Sequence, residues 1–167
     1  MTWEVVPIAE RHIDSFHAGV DIVARERLYL SFLEAPPLEE TAAFVRSNIN
    51  RGLPAFVAVA ERTVVGWCDV IPIPRPVHSH SGVLGMGVLP QWRRQCIGRS
   101  LLTHALASSR SFGLTRVELT VRSSNTVAIA LYRSNGFALE GVKRKGVRVN
   151  GKYEDLLCMA VVYEDAA

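Results

Sequence analysis

No run of this chain is apolar for long enough to cross a bilayer, which excludes a membrane-spanning helix. Cysteine is scarce: Cys68, Cys96 and Cys158 are an odd number with no metal-ligand spacing. They read as reduced thiols in a cytoplasmic protein, with Cys68 and Cys158 as small core residues inside apolar runs. Neither sign of charge is in large excess, and a net charge of +3 falls short of a nucleic-acid-binding footprint. The opening M-T-W-E-V-V-P has no signal-peptide pattern. No internal repeat and no linker divides the sequence. What is present is an ordinary globular composition, 49% hydrophobic and 21% charged in 167 residues. That suits a single domain over residues 1–167 with one core.

The periodicities give an order of elements. Trp3-Glu4-Val5-Val6-Pro7 reads as a short strand. From Ile8 to Leu33 the spacing of Ile13, Phe16, Val20, Val23 and Leu28 is helical. Glu34-Ala35-Pro36-Pro37 is a loop, and a second helix carries Leu38, Ala42, Val45 and Ile49 on one face up to Gly52. Ala55–Ala60 and Val64–Ile71 form an antiparallel hairpin across Glu61-Arg62-Thr63. Pro72-Ile73-Pro74-Arg75-Pro76 cannot hold ladder pairing and is loop. A strand through Val83–Val88 follows, then a helix from about Arg94 to Phe112 closed by Gly113. Val117–Val121 is a strand, and a helix runs from near Asn125 to Asn135-Gly136. Val142–Val149 and Tyr153–Tyr163 make a final hairpin turned by Asn150-Gly151. The order β-α-α-β-β-β-α-β-α-β-β predicts an α/β fold with helices on both faces of a mixed sheet.

The stretch V-L-G-M-G-V-L-P-Q-W-R-R-Q-C-I-G-R-S-L-L, from Val83 to Leu102, organises the rest. A strand ends at Pro90 and feeds a basic turn in which a helix begins. The first turn of a helix carries unpaired N–H groups and the positive end of the macrodipole, and phosphate is its usual guest. Flanking arginines add forked donors suited to phosphate oxygens. The stretch therefore reads as a pyrophosphate cradle, against the plainer reading of a strand–turn–helix connection with solvated arginines.

Arg93-x-x-Cys96-x-Gly98 resembles the cofactor motif of the GCN5-related N-acetyltransferases, with Cys96 where that motif has its first glycine. Ser124-Asn125-x-x-Ala128-x-x-Leu131-Tyr132-x-x-x-Gly136-Phe137 resembles the fourth-helix motif of the same family, and Glu140-Gly141 with the Asn-Gly-Lys-Tyr-Glu-Asp hairpin is common in its small bacterial members. The resemblance covers the chain from Ala55 onward. It implies a mixed, mostly antiparallel sheet splayed between the fourth and fifth strands, and acetyl-CoA as cofactor.

By that resemblance, Arg93, Arg94, Gln95, Cys96, Ile97, Gly98, Arg99 and Ser100 meet the diphosphate, with Arg94 and Arg99 as side-chain partners. Cys96 has a Cβ, so the loop is expected to hold it without positive φ. The pantetheine arm pairs like an added strand against Met86-Gly87-Val88, where Gly85 and Gly87 are candidate bulge positions. Val88 N–H polarises the thioester carbonyl, and Tyr132 protonates the departing sulfur. Asn125 caps the fourth helix and bonds the cofactor arm with Ala128 beside it.

The residues leave the general base open among Glu26, Glu34, Asp69, His78, His80 and Glu118, and Glu118 is the strand candidate. An amine that loses its proton to water needs none. Tyr29, Phe32, Glu34, Trp67, Asp69 and His80 are the expected acceptor wall, an apolar slot with an acid for an ammonium group. The resemblance thus implies direct acetyl transfer to the primary amine of a small molecule, amino-acid-like or an amine-bearing antibiotic. Acetylation of protein N-termini and a non-catalytic CoA-binding sensor are the alternatives. No metal, nucleic acid or membrane is expected. The basic cluster Lys143-Arg144-Lys145 with Arg148 and Lys152 reads as a solvated hairpin. The edge left by the final strands is compatible with a homodimer.

Overall fold

Tight turns set the register of two hairpins in the computed structural model, which describes residues 2–165. Glu61 and Arg62 have φ of 48° and 70°, and Asn150 and Gly151 have φ of 51° and 78°. Positive φ at both central residues is the turn that matches the twist of paired strands. The chain runs β1 (Glu4–Pro7), α1 (Ile13–Arg25), α2 (Leu38–Asn50), β2 (Ala55–Ala60), β3 (Thr63–Pro72), β4 (Ser81–Val88), α3 (Ile97–Phe112), β5 (Arg116–Arg122), α4 (Thr126–Ser134), β6 (Ala138–Val149) and β7 (Lys152–Val162). This is the expected order. The seven strands form one sheet in the order β1-β2-β3-β4-β5-β7-β6. Every neighbouring pair is antiparallel except β4 with β5.

Alternation along β3 assigns the layers. Trp67 packs edge-on against Phe16 of α1, with ring centroids 5.7 Å apart. Its neighbour Gly66 faces the other way, where a Cβ would lie 3.1 Å from Leu101 and 3.3 Å from Ile97 of α3. One face of the sheet is therefore covered by α1, which buries Ile13, Phe16, Val20 and Val23. The other is covered by α3, which buries Ile97, Leu101, Leu102, Ala105 and Leu106. Gly98 of α3 comes within contact of Leu131 of α4 and of Met86 and Val88 of β4, so α4 lies on that second face too.

The parallel pair is short. Only Ser81–Val83 and Arg116–Glu118 are in register, after which β4 and β5 part. This is the splay between the fourth and fifth strands that the family resemblance implies. No bulge produces it: β3 and β4 stay in unbroken register from Gly66↔Val88 to Pro72↔Gly82, so Gly85 and Gly87 are not bulge positions. Gly87 serves packing instead, since a Cβ there would lie 2.5 Å from two ring carbons of Trp67.

Two helix boundaries and the burial of one cysteine differ from the sequence reading. The first helix stops at Arg25 rather than Leu33, and Arg27 has a φ of 60°. Beyond Arg25 the backbone carbonyls of Arg27 and Leu30 are taken by the buried guanidinium of Arg122, at 2.7 Å each, instead of by helical N–H groups. The third helix begins at Ile97 rather than Arg94, because Arg94 and Cys96 have φ of 61° and 63°. Cys158 is half-buried, not a core residue like Cys68. Among the described residues no helix is long and apolar enough to cross a membrane.

Candidate acetyl-CoA site

The register shows which backbone groups the splay exposes. Leu89 N–H donates to Val65 O at 2.9 Å, so Gly87 and Gly85 also turn their backbone groups toward β3. Leu84, Met86 and Val88 then direct theirs to the edge that β5 has left. This is an open strand edge at the end of β4, suited to an extended arm that adds to it.

Beyond it the chain makes a nest of donors. From Arg94 to Arg99 no backbone N–H donates to a backbone carbonyl, and the first that does is Ser100, to Cys96 O at 3.0 Å. The left-handed turns at Arg94 and Cys96 curl these donors inward. Cys96 thus adopts the positive φ that the sequence reading argued against. Its side chain is exposed, so the left-handed backbone and not a clash is what the cysteine costs. Arg94 and Arg99 are exposed, and neither is in a salt bridge among the described residues.

Arg93 differs. Its N–H donates to Pro90 O at 3.3 Å, outside the nest. Its side chain donates from Nη1 to Glu26 at 2.9 Å and from Nε to Val88 O at 3.0 Å, and its guanidinium lies 4.8 Å from the Tyr29 ring centroid. The pair with Glu26 raises the pKa of Arg93. Arg93 therefore lines the cleft with its guanidinium already committed, and Glu26 is engaged rather than a free base. Gln95 donates to Gln91 O at 3.4 Å.

A cleft of about 440 Å³ runs through the splay. Met86, Gly87, Val88, Arg94 and Cys96–Arg99 line one wall, and Asn125, Ala128, Leu131 and Tyr132 the other. Val23 and Tyr29 line its mouth on the α1 side. Asn125 caps α4, its Oδ1 accepting from Ala128 N–H at 3.2 Å. Tyr132 is 7% exposed, and its pKa is raised, by burial first and by the nearby Cys68 second. The phenol is therefore protonated throughout the physiological range.

The structure separates the other candidates. Trp67 is 5% exposed and belongs to the core, between Phe16 and Gly87, not to an acceptor wall. Glu118 does not reach the cleft. It accepts from Arg116 Nε at 3.0 Å and lines a separate depression with Arg75, His78 and His80. Glu34 is exposed and lies 3.5 Å from Arg25. Phe32 is half exposed on the loop after α1. Asp69 is half-buried in β3, and burial pushes its carboxyl up to about 7. Among the described residues no group of side chains could hold a metal ion.

Two contacts were invisible in the sequence. Arg122, 5% exposed, pins the loop after α1 to β5. Arg27 in that loop donates to Asn150 Oδ1 at 2.8 Å, joining it to the β6–β7 turn. The only available signal was an arginine closing the alternating run V-E-L-T-V-R, and that pattern does not distinguish a buried end from a solvated one.

A splayed sheet with an open strand edge beside a nest of helix-opening amides defines an acyl-coenzyme A–binding transferase fold. The chain belongs to the acetyltransferase (GNAT) family, whose model matches residues 23–137. It is 28% identical to the L-amino acid N-acetyltransferase AaaT of Escherichia coli K12, over 93% of this chain and 98% of that one. It is 34% identical to the ribosomal protein bS18-alanine N-acetyltransferase of the same organism, over 58% of this chain and 65% of that one. The yncA acetyltransferase of Salmonella typhimurium, solved with acetyl-CoA, superposes with a TM-score of 0.92 at 15% identity, covering 100% of this chain and 97% of that one. A phosphinothricin acetyltransferase of Sinorhizobium meliloti, in complex with acetyl-CoA, gives 0.91 at 20%, covering 99% and 91%. The chain is an acetyltransferase enzyme whose cosubstrate is acetyl-CoA. The nest and open edge fit that molecule: donors and two free arginines for its diphosphate, a strand edge for its arm.

Proposed function

We propose that this enzyme acetylates the primary amine of a small, amino-acid-like molecule by direct transfer, with no covalent enzyme intermediate. The observation that carries the small-acceptor reading is the bridge on the acceptor side. Arg122 holds the loop after α1, and Arg27 ties that loop to the hairpin turn at Asn150. A loop tied down at both points in this way suits a compact acceptor better than a polypeptide. The nearly full-length similarity to an L-amino acid N-acetyltransferase supports the same reading.

Acetyl-CoA supplies the acetyl group as a thioester. The amides of Arg94–Arg99, with the Arg94 and Arg99 side chains, hold its diphosphate. Met86 and Val88 hydrogen-bond its arm along the open edge. Val88 N–H polarises the acyl carbonyl, and the Arg93 bond to Val88 O anchors the following peptide at the end of β4. Tyr132, kept protonated by burial, gives its proton to the departing sulfur. Cys96 lies in the phosphate nest, away from the acyl group, and is not a nucleophile.

The test is thiol release from acetyl-CoA over a panel of free L-amino acids, phosphinothricin, spermidine and peptides with N-terminal alanine. Turnover with free amino acids or phosphinothricin, and little with peptides, is expected. Turnover confined to the peptides would overturn the reading in favour of protein N-terminal acetylation. Tyr132→Phe should lower kcat about 10²-fold with acetyl-CoA affinity unchanged, and an unaltered rate across pH would remove its acid role.

A further inference from the structure

On the α1 side of the sheet every half-buried carboxylate but one is matched. Glu26 is held by Arg93, Glu118 by Arg116, and Asp21 by Arg25. Nearer the hairpin, Glu154 accepts from Ser124 and Asp155 from Lys145 N–H. Among the described residues Asp69 alone is half-buried with neither an ion pair nor a hydrogen bond. It stands in β3 between Ala55 and Gly85, which carry too little side chain to cover it. A Cβ on Gly85 would sit 3.6 Å from its Oδ1 and meet nothing else. A carboxylate drawn partly out of water without a partner is costly. Such a group, one strand in from the open edge of β4, marks a place for a guest that brings the proton or the positive charge.

The surroundings supply neither. Ala55 and Val57 of β2, Val83 and Gly85 of β4, and Phe16, Val20 and Val23 of α1 are uncharged. Across the splay, Arg116 is taken by Glu118 and Glu140, and Arg122 by the two loop carbonyls. Tyr29 at the mouth of the cleft faces Arg93. Cys68 points to the opposite face, its thiol kept protonated by burial first and by Asp69 second.

We propose that Asp69 takes the proton from the acceptor's ammonium group through intervening water and so delivers a neutral amine to the transfer point. This rests on the amine-acceptor reading above. Gly85, opposite Asp69, is about 10 Å along β4 from Val88 at the rise of a strand, a span for water rather than direct contact. The step balances. The Asp69 carboxylate becomes a carboxylic acid as R–NH₃⁺ becomes R–NH₂. The C–N bond then forms and the C–S bond breaks. Tyr132 gives its proton to sulfur and is restored, through water, by the second proton leaving nitrogen. Asp69 returns its own proton to solvent. A carboxyl that titrates near 7 is poised for this exchange at neutral pH.

Wild type, Asp69→Asn and Asp69→Glu are compared with the best free L-amino acid of the panel. For Asp69→Asn, kcat/KM should fall about 10²-fold or more at pH 7, and the acidic limb of its pH profile near 7 should vanish. Its acetyl-CoA Kd should stay within about two-fold and its circular dichroism should be unchanged, while Asp69→Glu recovers part of the rate. A ¹³C-carboxyl titration without any acceptor should show one resonance with a midpoint near 7 that Asp69→Asn lacks. A midpoint near 4, or an unchanged limb in Asp69→Asn at any rate, overturns the proposal. Wild type inactive on every amine overturns the acceptor reading and this one together. Amine transfer undiminished in Asp69→Asn overturns this one alone.

Discussion

Glu26 and Arg93 join the end of α1 to the turn before α3 through two parallel hydrogen bonds, one of them 2.9 Å long. The same guanidinium bonds Val88 O and covers the Tyr29 ring, so one side chain touches the acceptor-side loop and the transfer strand. Both partners are mostly withdrawn from solvent, with side-chain exposures of 31% and 22%. Removing one leaves the other's charge unpaired. Arg93→Ala should therefore lower the unfolding free energy by about 2–4 kcal/mol. Arg93→Lys should recover little of it, since an ammonium cannot reproduce the fork. Urea denaturation of the single variants and of Glu26→Ala/Arg93→Ala checks this. Additive losses would mean that the pair is not coupled.

Gly87 and Gly85 look alike in sequence and should behave oppositely. A Cβ at Gly87 meets two Trp67 ring carbons at 2.5 Å, and Trp67 is locked against Phe16. Gly87→Ala should cost about 1–3 kcal/mol by overpacking and weaken acetyl-CoA binding by tilting the open edge. Gly85→Ala, with only Asp69 at 3.6 Å, should fold normally. Denaturation midpoints and calorimetric titration with acetyl-CoA separate the two. Equal losses would show that Trp67 can swing aside.

Cys96 stands in the left-handed region at φ 63° and ψ 7°. An L-residue there costs roughly 1–2 kcal/mol relative to glycine, offset by the greater freedom glycine has in the unfolded chain, about 0.4–1 kcal/mol. Cys96→Gly should therefore hold stability level or raise it by up to about 1.6 kcal/mol. It should also tighten acetyl-CoA binding by removing a Cβ from the nest. Cys96→Ala keeps the Cβ and should do neither. Calorimetric Kd values for the three proteins decide it. Identical affinities would place the Cβ outside the nest.

Elements were legible wherever the local code is strong. Asn150-Gly151 and Gly113 sit where positive φ is required, and alternating apolar residues gave each strand its face. The cleft was legible through motif spacing, which brought Val88, Gly98, Asn125 and Tyr132 to one wall or the other. Side-chain commitments over long separations were not. Arg93 carried a motif position yet braces Glu26. Glu118 lay in the strand next to β4, yet its register pairs it with Val83, where the parallel ladder ends and before the edge opens. Trp67 read as an acceptor wall because an aromatic in a strand does not announce the glycine across from it.

Asp69 makes a further prediction that needs no substrate. Its carboxyl is pushed up to about 7 by burial, against an unfolded value of about 3.9. Between those values the folded chain keeps a proton that the unfolded chain has lost. Stability therefore falls as pH rises through that window, and the full penalty stands above the folded value. Asp21 and Glu140 act the other way. Arg25 holds the first and Arg116 the second below the ordinary carboxylate range, so their contributions are lost only as pH falls below about 4. The two windows do not overlap. Asp69→Asn should match wild type to within about 1 kcal/mol at pH 4 and exceed it by on the order of 2–4 kcal/mol at pH 8. Urea midpoints at both pH values test it. A difference that stays constant between them would mean that water reaches the carboxylate and holds it at an ordinary value, leaving it no proton to exchange at neutral pH.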